Sequence, residues 1–166
     1  MTLVLTRSSR TVQPWFGRAL VVVVSMLAWS LAAAGPPNAA DLPTVQLKIK
    51  GQAIRAEVAA TESSRTTGLM HRFSLRPDSG MLFVFSAPQA LVFWMKNTYV
   101  PLSIAFIGSD GRILNIEDMA PQTEDGHRSR GMALYALEMK KGWFAAHDIG
   151  AGDRVEGLDN APLAHD

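Results

Sequence analysis

The 166-residue chain contains no cysteine. It therefore has no disulfide framework, no thiolate zinc site and no cysteine nucleophile. The sequence also lacks the G-x-S-x-G elbow, the P-loop, the G-x-G-x-x-G turn and the H-E-x-x-H helix, which mark common catalytic and nucleotide sites. Hydrophobic residues make up 48% of the chain and charged residues only 19%. This composition predicts a folded globular protein and excludes a disordered one, but it indicates no activity.

Acidic residues are absent from the first 34 positions, which hold three arginines instead: Arg7, Arg10 and Arg18. An apolar run over 19–34 follows and ends in small residues. A basic segment, a short apolar run and an A-x-A ending are typical of a secretory signal peptide. The run is also shorter than the roughly 20 residues of a membrane-spanning helix. The sequence predicts a signal peptide over 1–34, cleaved after Ala34 or Ala40, and a periplasmic or secreted protein. An uncleaved anchor is the alternative.

The remaining chain is mildly acidic, with 13 Lys and Arg against 15 Asp and Glu from residue 35 onward, a net charge of −2. A nucleic-acid-binding protein needs a basic surface, so no nucleic-acid partner is expected. Residues 35–43 contain three prolines and predict an extended lead-in. One domain should follow over 44–158, with a loose tail over 159–166. We expect a monomer that does not contact the membrane once the signal is removed.

The domain should begin with a β-hairpin. Hydrophobic and polar residues alternate along 45–49 and 54–58, on either side of a turn at Gly51-Gln52. Thr61 has the side chain of a helix N-cap, and Gly68 should end that helix after about two turns. The sequence therefore predicts a hairpin with one polar face, followed by a short helix.

Further strands follow in short apolar stretches: 81–85, 91–95, 104–107, 112–116, 132–139 and 154–156. A turn is predicted at Ala87-Pro88, a glycine hairpin connection at Asp110-Gly111 and an irregular polar loop over 117–130. A second short helix is predicted over 143–147. Seven or eight short strands with frequent turns indicate a mainly β, single-domain fold, either a sandwich or a partly closed barrel with two short helices.

The most unusual segment ends the strand predicted at 91–95. Lys96 and Asn97 follow directly after the apolar residues, and Trp94 shares a face with Lys96. Buried lysine is rare unless it is paired, so Lys96 either reaches water or meets a carboxylate such as Glu138. Glu138 itself lies within an otherwise apolar strand. The segment is therefore either the exit of a strand to solvent or a polar cluster at the mouth of an aromatic pocket.

Several motifs together carry a family resemblance: Gly68-Leu69-Met70-His71-Arg72, Gly80 to Phe85, Phe93-Trp94-Met95-Lys96-Asn97-Thr98, Asp110-Gly111-Arg112-Ile113, Ala136-Leu137-Glu138 and Gly142-Trp143. They resemble the family called domain of unknown function 192 over about residues 45–158. The resemblance implies a compact, mainly β domain of sandwich type, often exported, with no activity assigned to the family as a whole. His71 departs from the phenylalanine or tyrosine that is common at its position.

Two function classes follow. The first is a non-catalytic binding module for a small organic or sugar-like ligand, because aromatic walls with a few polar groups suit such ligands. Its predicted site residues are Arg72, Trp94, Lys96, Asn97 and Glu138, with Trp143 as a second wall.

The second class is an enzyme in which Glu138 and Lys96 form a desolvated acid–base pair. A protein-interaction domain of the cell envelope, with an exposed apolar patch, is a further alternative. The four histidines are scattered, and the methionines fill apolar strands. The sequence therefore predicts neither a metal nor a cofactor.

Overall fold

The computed structural model describes residues 42–165. The predicted signal peptide over 1–34 and most of the lead-in lie outside the described residues. In chain order the elements are β1 (Thr44–Ile49), β2 (Gln52–Ala59), α1 (Glu62–Thr67), β3 (Ser79–Phe93), β4 (Leu102–Ile107), β5 (Ile113–Met119), β6 (His127–Lys140), α2 (Trp143–Ala146), β7 (Val155–Glu156) and a 3-10 turn (Leu158–Asn160). The strands form one sheet in the order β5-β4-β6-β3-β2-β1-β7.

This sheet curls into a half-barrel, which confirms the mainly β fold with two short helices and selects the partly closed barrel over the sandwich. Within the sheet, the second half of β6 lies between β4 and the start of β3, while its first half pairs with the end of β3. The buried side chain of Asn115 links β5 to that first half. Its amide donates to the Arg128 carbonyl at 3.0 Å, and its oxygen accepts from the Arg130 amide at 2.9 Å.

The first hairpin and the first helix are confirmed. β1 and β2 pair antiparallel around a turn at Lys50 and Gly51, one residue earlier than predicted, and both residues have positive φ. The Thr61 hydroxyl accepts a hydrogen bond from the Ser64 amide, and the Ser64 hydroxyl accepts one from the Thr61 amide. This reciprocal pair caps the helix, which ends at Gly68 as predicted.

Two apolar clusters fill the two faces of the sheet. One contains the inward side chains of β1 and β2 and is covered by Trp143, Phe144 and Leu158. The other contains side chains of β3, β4 and β6 and is covered by Leu69 and Met95, which belong to connecting segments. The central strands are therefore buried on both faces, as the uninterrupted apolar run over 81–85 indicates.

Three local predictions need correction. No turn separates two strands at Ala87 and Pro88, because β3 runs through both residues with a shift of register between Val84 and Gln89. Proline is tolerated there because the bulge requires no ladder hydrogen bond from it. The predicted loop over 117–130 is also shorter, since strands occupy its two ends. The tail predicted to be loose contains the 3-10 turn, and the His165 amide donates to the Ala60 carbonyl at 2.8 Å.

One strand connection determines where the candidate site lies. β2 and β3 are parallel neighbours, whereas all other neighbouring strands in the sheet are antiparallel. A parallel pair requires a crossover, because the chain must return to the same end of the sheet. Here the crossover consists of α1 and the segment 68–78. That segment passes over the face of the sheet where β2 carries its polar side chains.

Candidate functional site

A groove of about 1140 Å³ lies between the β1–β2 hairpin and the crossover segment. The strands, including Ser79 and Gly80 at the start of β3, form its floor, and Arg72 with residues 74–78 of the crossover segment forms its opposite wall. Ligand sites in proteins usually enclose about 300–1,000 Å³, so the groove can hold a small organic molecule.

The polar floor follows directly from the strand register. Thr44 lies opposite Glu57 and Gln46 lies opposite Arg55, so these four side chains share one face of the hairpin. The alternate residues along the same strands point into the apolar core and are buried. The period-two pattern therefore produces a sheet surface on which polar groups face the crossover segment.

The crossover wall is held at its start by an ion pair. The Arg72 guanidinium donates to both carboxylate oxygens of Glu57, at 2.5 and 2.6 Å. This hydrogen bonding raises the pKa of Arg72 against a smaller opposing effect of burial. Both side chains are about one-third exposed or less. The bidentate geometry fixes Arg72 and leaves Glu57 with both oxygens engaged.

A second anchor holds the end of the crossover wall. The Asp78 carbonyl accepts from the Arg55 amide at 2.9 Å, and the Asp78 carboxylate accepts from the Trp143 indole at 2.9 Å. Asp78 adopts a left-handed conformation, with φ of 51°, that aspartate tolerates better than most residues. Trp143 belongs to the first apolar cluster, and its ring packs edge-on to Phe144. It therefore supports the groove from behind.

Two cations in the groove have no partner among the residues that the structure describes. Arg55 extends from the floor and Arg76 from the crossover wall, and both are exposed. Within residues 42–165, neither guanidinium forms a hydrogen bond or an ion pair with another side chain or carbonyl. The groove therefore combines a braced framework with two uncommitted positive groups.

The segment that sequence reasoning favoured forms a turn outside the groove. The Thr98 amide donates to the Met95 carbonyl at 3.1 Å, and Asn97 within this turn has φ of 54°. Lys96 is exposed and its ammonium lies 3.5 Å from the Glu124 carboxylate. Trp94 is 55% exposed. These residues mark the exit of β3 to solvent, which was one of the two interpretations of the sequence.

Glu138 lies apart from both places. It sits on β6 between Met81 of β3 and Ile104 of β4, and only 4% of it is exposed. Burial raises the pKa of its carboxyl from 4.5 to about 8. In the described part of the chain, it forms no ion pair with Lys96, whose partner is Glu124. Of the five predicted site residues, Arg72 alone lines the groove.

A smaller cavity of about 330 Å³ lies near the opposite edge of the sheet. Three of its four polar side chains, those of Ser103, Asp118 and Asn115, are already hydrogen-bonded within the described residues, and the fourth, Arg130, is exposed. The Ser103 hydroxyl donates to Asp118 at 2.5 Å and accepts from the Gly142 amide at 2.9 Å, while Asn115 is engaged by β6. This arrangement stabilises the fold and leaves Arg130 as the one uncommitted cation of the described lining, against two in the larger groove, so the larger groove is the better candidate.

Further surfaces of the described chain carry less specific chemistry. Phe73 is 81% exposed and stacks on Tyr99, with ring centroids 4.8 Å apart. Across residues 42–165, no three His, Asp or Glu side chains gather in a way that could hold a metal ion. No helix in this range has the length and apolar character needed to cross a bilayer.

The groove residues that sequence reasoning missed are chiefly Arg55, Arg76 and Gln46. A signal for Arg55 and Gln46 was present, since they lie on the polar face of the predicted hairpin. That face resembled an ordinary solvated surface because nothing in the local pattern showed that a segment twenty residues later covers it. Arg76 lies between the predicted helix and the next predicted strand, where no pattern marked it as functional.

Comparisons with known proteins agree with the fold. A crystal structure from Sinorhizobium meliloti 1021, named a "putative transcription regulator", is 36% identical with a TM-score of 0.67, covering 70% of this chain and 95% of that one. A protein of unknown function from Novosphingobium aromaticivorans DSM 12444 is 33% identical with a TM-score of 0.64, covering 69% and 86%. No curated protein matches the chain. The model of the DUF192 family, described as "Uncharacterized ACR", matches residues 45–157, and the chain belongs to this family.

Proposed function

We propose that the domain is a non-catalytic binding module for a small organic or sugar-like ligand, and that the groove is its binding site. One observation carries the proposal. The groove is braced by the Arg72–Glu57 and Asp78–Trp143 contacts, while Arg55 and Arg76 remain available to a ligand. A braced site loses little conformational freedom when a ligand binds, which favours affinity.

An enzymatic role has less support. An acid–base pair of Glu138 and Lys96 is not assembled, since Lys96 contacts Glu124 and Glu138 is buried within the sheet. In the groove, Glu57 has both oxygens committed to Arg72, and Asp78 accepts from Trp143. A general base must reach the proton that it removes, and the carboxylates of the groove are occupied in bracing it.

We also propose that the protein is exported and acts in the periplasm as a monomer. The support is the order of the first 34 residues, in which arginines precede an apolar run and small residues. The Sinorhizobium structure is named a "putative transcription regulator", and a regulator that binds DNA needs a basic surface. The net charge of −2 from residue 35 onward does not favour such a partner here.

Intact-mass measurement of protein recovered from a Gram-negative host tests the export. We expect the mature chain to begin at Gly35 or Asp41 and to appear in the periplasmic extract. Membrane-bound protein that retains Met1 contradicts this expectation and favours an anchor.

Thermal-shift screening with small metabolites tests the binding. A ligand present at ten times its Kd should raise the Tm by about 5 °C, because it binds the folded state alone. Ala53, an exposed residue of the groove floor, provides a blocking variant, Ala53→Trp. Ala87→Trp provides the matched control, since Ala87 is exposed outside the groove. The proposal requires that the first variant abolish the shift and the second preserve it. It fails if Ala53→Trp leaves the shift unchanged.

A further inference from the structure

The cations that line the groove share one chemistry. In the described part of the lining all three are arginines, Arg55, Arg72 and Arg76, and no lysine is among them. Arginine presents a planar fork of donors that matches two oxygens of a carboxylate or a phosphate, whereas lysine is a point charge. The groove is therefore equipped for oxyanions of defined shape.

Some charged residues of the groove interact with other protein groups, and others do not. Among residues 42–165, Glu57 and Asp78 are the acidic residues in the lining, and both already accept hydrogen bonds from the protein. Arg72 is neutralised by Glu57. Arg55 and Arg76 have no such compensation within the described residues, so the net charge of the lining is positive. This excess is local, since the chain from residue 35 onward carries a net charge of −2.

The two uncommitted arginines come from different elements. Arg55 belongs to β2, where it lies opposite Gln46 and beside Ser79 in the sheet register. Arg76 belongs to the crossover segment and lies in the wall. A ligand between floor and wall can therefore meet a guanidinium from each side. Apolar lining residues, among them Leu75, are available to its carbon skeleton.

We infer that the ligand of the groove is an organic oxyanion, a carboxylate or a phosphate ester, which Arg55 and Arg76 hold from the floor and the wall. The inference rests on the proposed function, because it assigns a chemical class to the ligand of the same site. Arg72 contributes by bracing the wall, and Glu57 keeps it from turning toward the ligand.

Isothermal titration of the purified protein with three matched probes tests this inference. Glucose, glucuronate and glucose 6-phosphate share a sugar ring and differ in charge, so the two anions also distinguish a carboxylate from a phosphate. We expect at least one anion to bind about tenfold more tightly than glucose, and its affinity to fall as salt is added.

Charge-removing variants complete the test. Arg55→Gln and Arg76→Gln should each weaken binding of that anion by about tenfold, whereas Arg128→Gln should not change it. Arg128 is the matched control because it is exposed and lies outside the groove lining. Circular dichroism of each variant checks that the fold is kept.

Two outcomes overturn the inference. If glucose binds as tightly as the anions, or if the arginine variants leave anion affinity unchanged, the groove does not select oxyanions. In either case, the proposed function would still hold if a probe binds the parent protein and Ala53→Trp abolishes that binding. If neither anion binds at about 10 mM, the inference is also overturned, because that limit corresponds to negligible affinity.

Discussion

Glu138→Gln should make the stability of the protein less sensitive to pH. Glu138 is 4% exposed and lies between Met81 and Ile104 in the middle of the sheet. The same row continues to Glu57 on one side and Glu117 on the other. Each is two strands away, a separation of about 10 Å at the usual spacing. Burial is the main cause that raises the pKa of Glu138 from 4.5 to about 8.

The direction of the effect follows from proton linkage. Between pH 4.5 and about 8 the folded state keeps a proton on Glu138 that the unfolded state has lost. The free energy of unfolding therefore decreases as the pH rises through this range and levels off above it. Each pKa unit corresponds to about 1.4 kcal/mol, so the full loss is on the order of 4–5 kcal/mol. That loss is a large part of the total stability of a typical domain.

Urea unfolding of parent and variant at pH 5, 7 and 9 measures the effect. Glutamine has nearly the shape of a protonated glutamate, so Glu138→Gln and the parent should differ little at pH 5. At pH 9 the variant should be more stable by a few kcal/mol. Glu156→Gln is the control, because Glu156 is exposed and its profile should follow the parent. Parallel profiles for parent and Glu138→Gln would refute the reasoning.

Three further substitutions test the packing. Gly80→Ala should destabilise by about 1–3 kcal/mol in urea unfolding, since its Cβ would overlap the Glu138 carbonyl oxygen, and unchanged stability contradicts this contact. Asn97→Ala should cost about 1 kcal/mol and Asn97→Gly almost nothing, because φ is 54°; equal melting temperatures for the two variants exclude that explanation. Trp94→Ala should change stability by less than about 1 kcal/mol, because Trp94 is 55% exposed, and a larger loss in thermal melting indicates a buried role.

Local patterns predicted the parts of the fold that depend on neighbouring residues. Alternation over 45–49 and 54–58 predicts the hairpin, because successive side chains of a strand point to opposite faces of the sheet. Thr61 and Gly68 predict the limits of α1 because capping acts within one turn. Gly111 has φ of 78°, as its hairpin connection requires.

Features that depend on distant residues could not be predicted in this way. A proline usually interrupts a strand, yet Pro88 lies where a change of register removes the need for its hydrogen bond. The parallel pairing of β2 with β3 joins strands separated by the whole crossover. Lys96 and Glu138 were considered partners because each looked unusual in its own strand, but Glu124 from a third segment contacts Lys96.

The same distinction explains what was predicted of the candidate site. Arg72 was selected through a family motif, whereas its partner Glu57 lies fifteen residues earlier and becomes relevant once the crossover folds back. Arg55 and Arg76 are ordinary surface arginines in the sequence. Their proximity to one groove follows from the parallel connection, which no local pattern encodes.

Amide chemical shifts of the isotopically labelled protein during titration with the tighter-binding of the two anions, glucuronate or glucose 6-phosphate, test the central claim most directly. The account predicts that the shifts change along the floor and the wall of the groove, at Gln46, Arg55 and residues 74–79. Changes confined to residues 94–99, the turn that the sequence first suggested, or to the lining of the smaller cavity would contradict it.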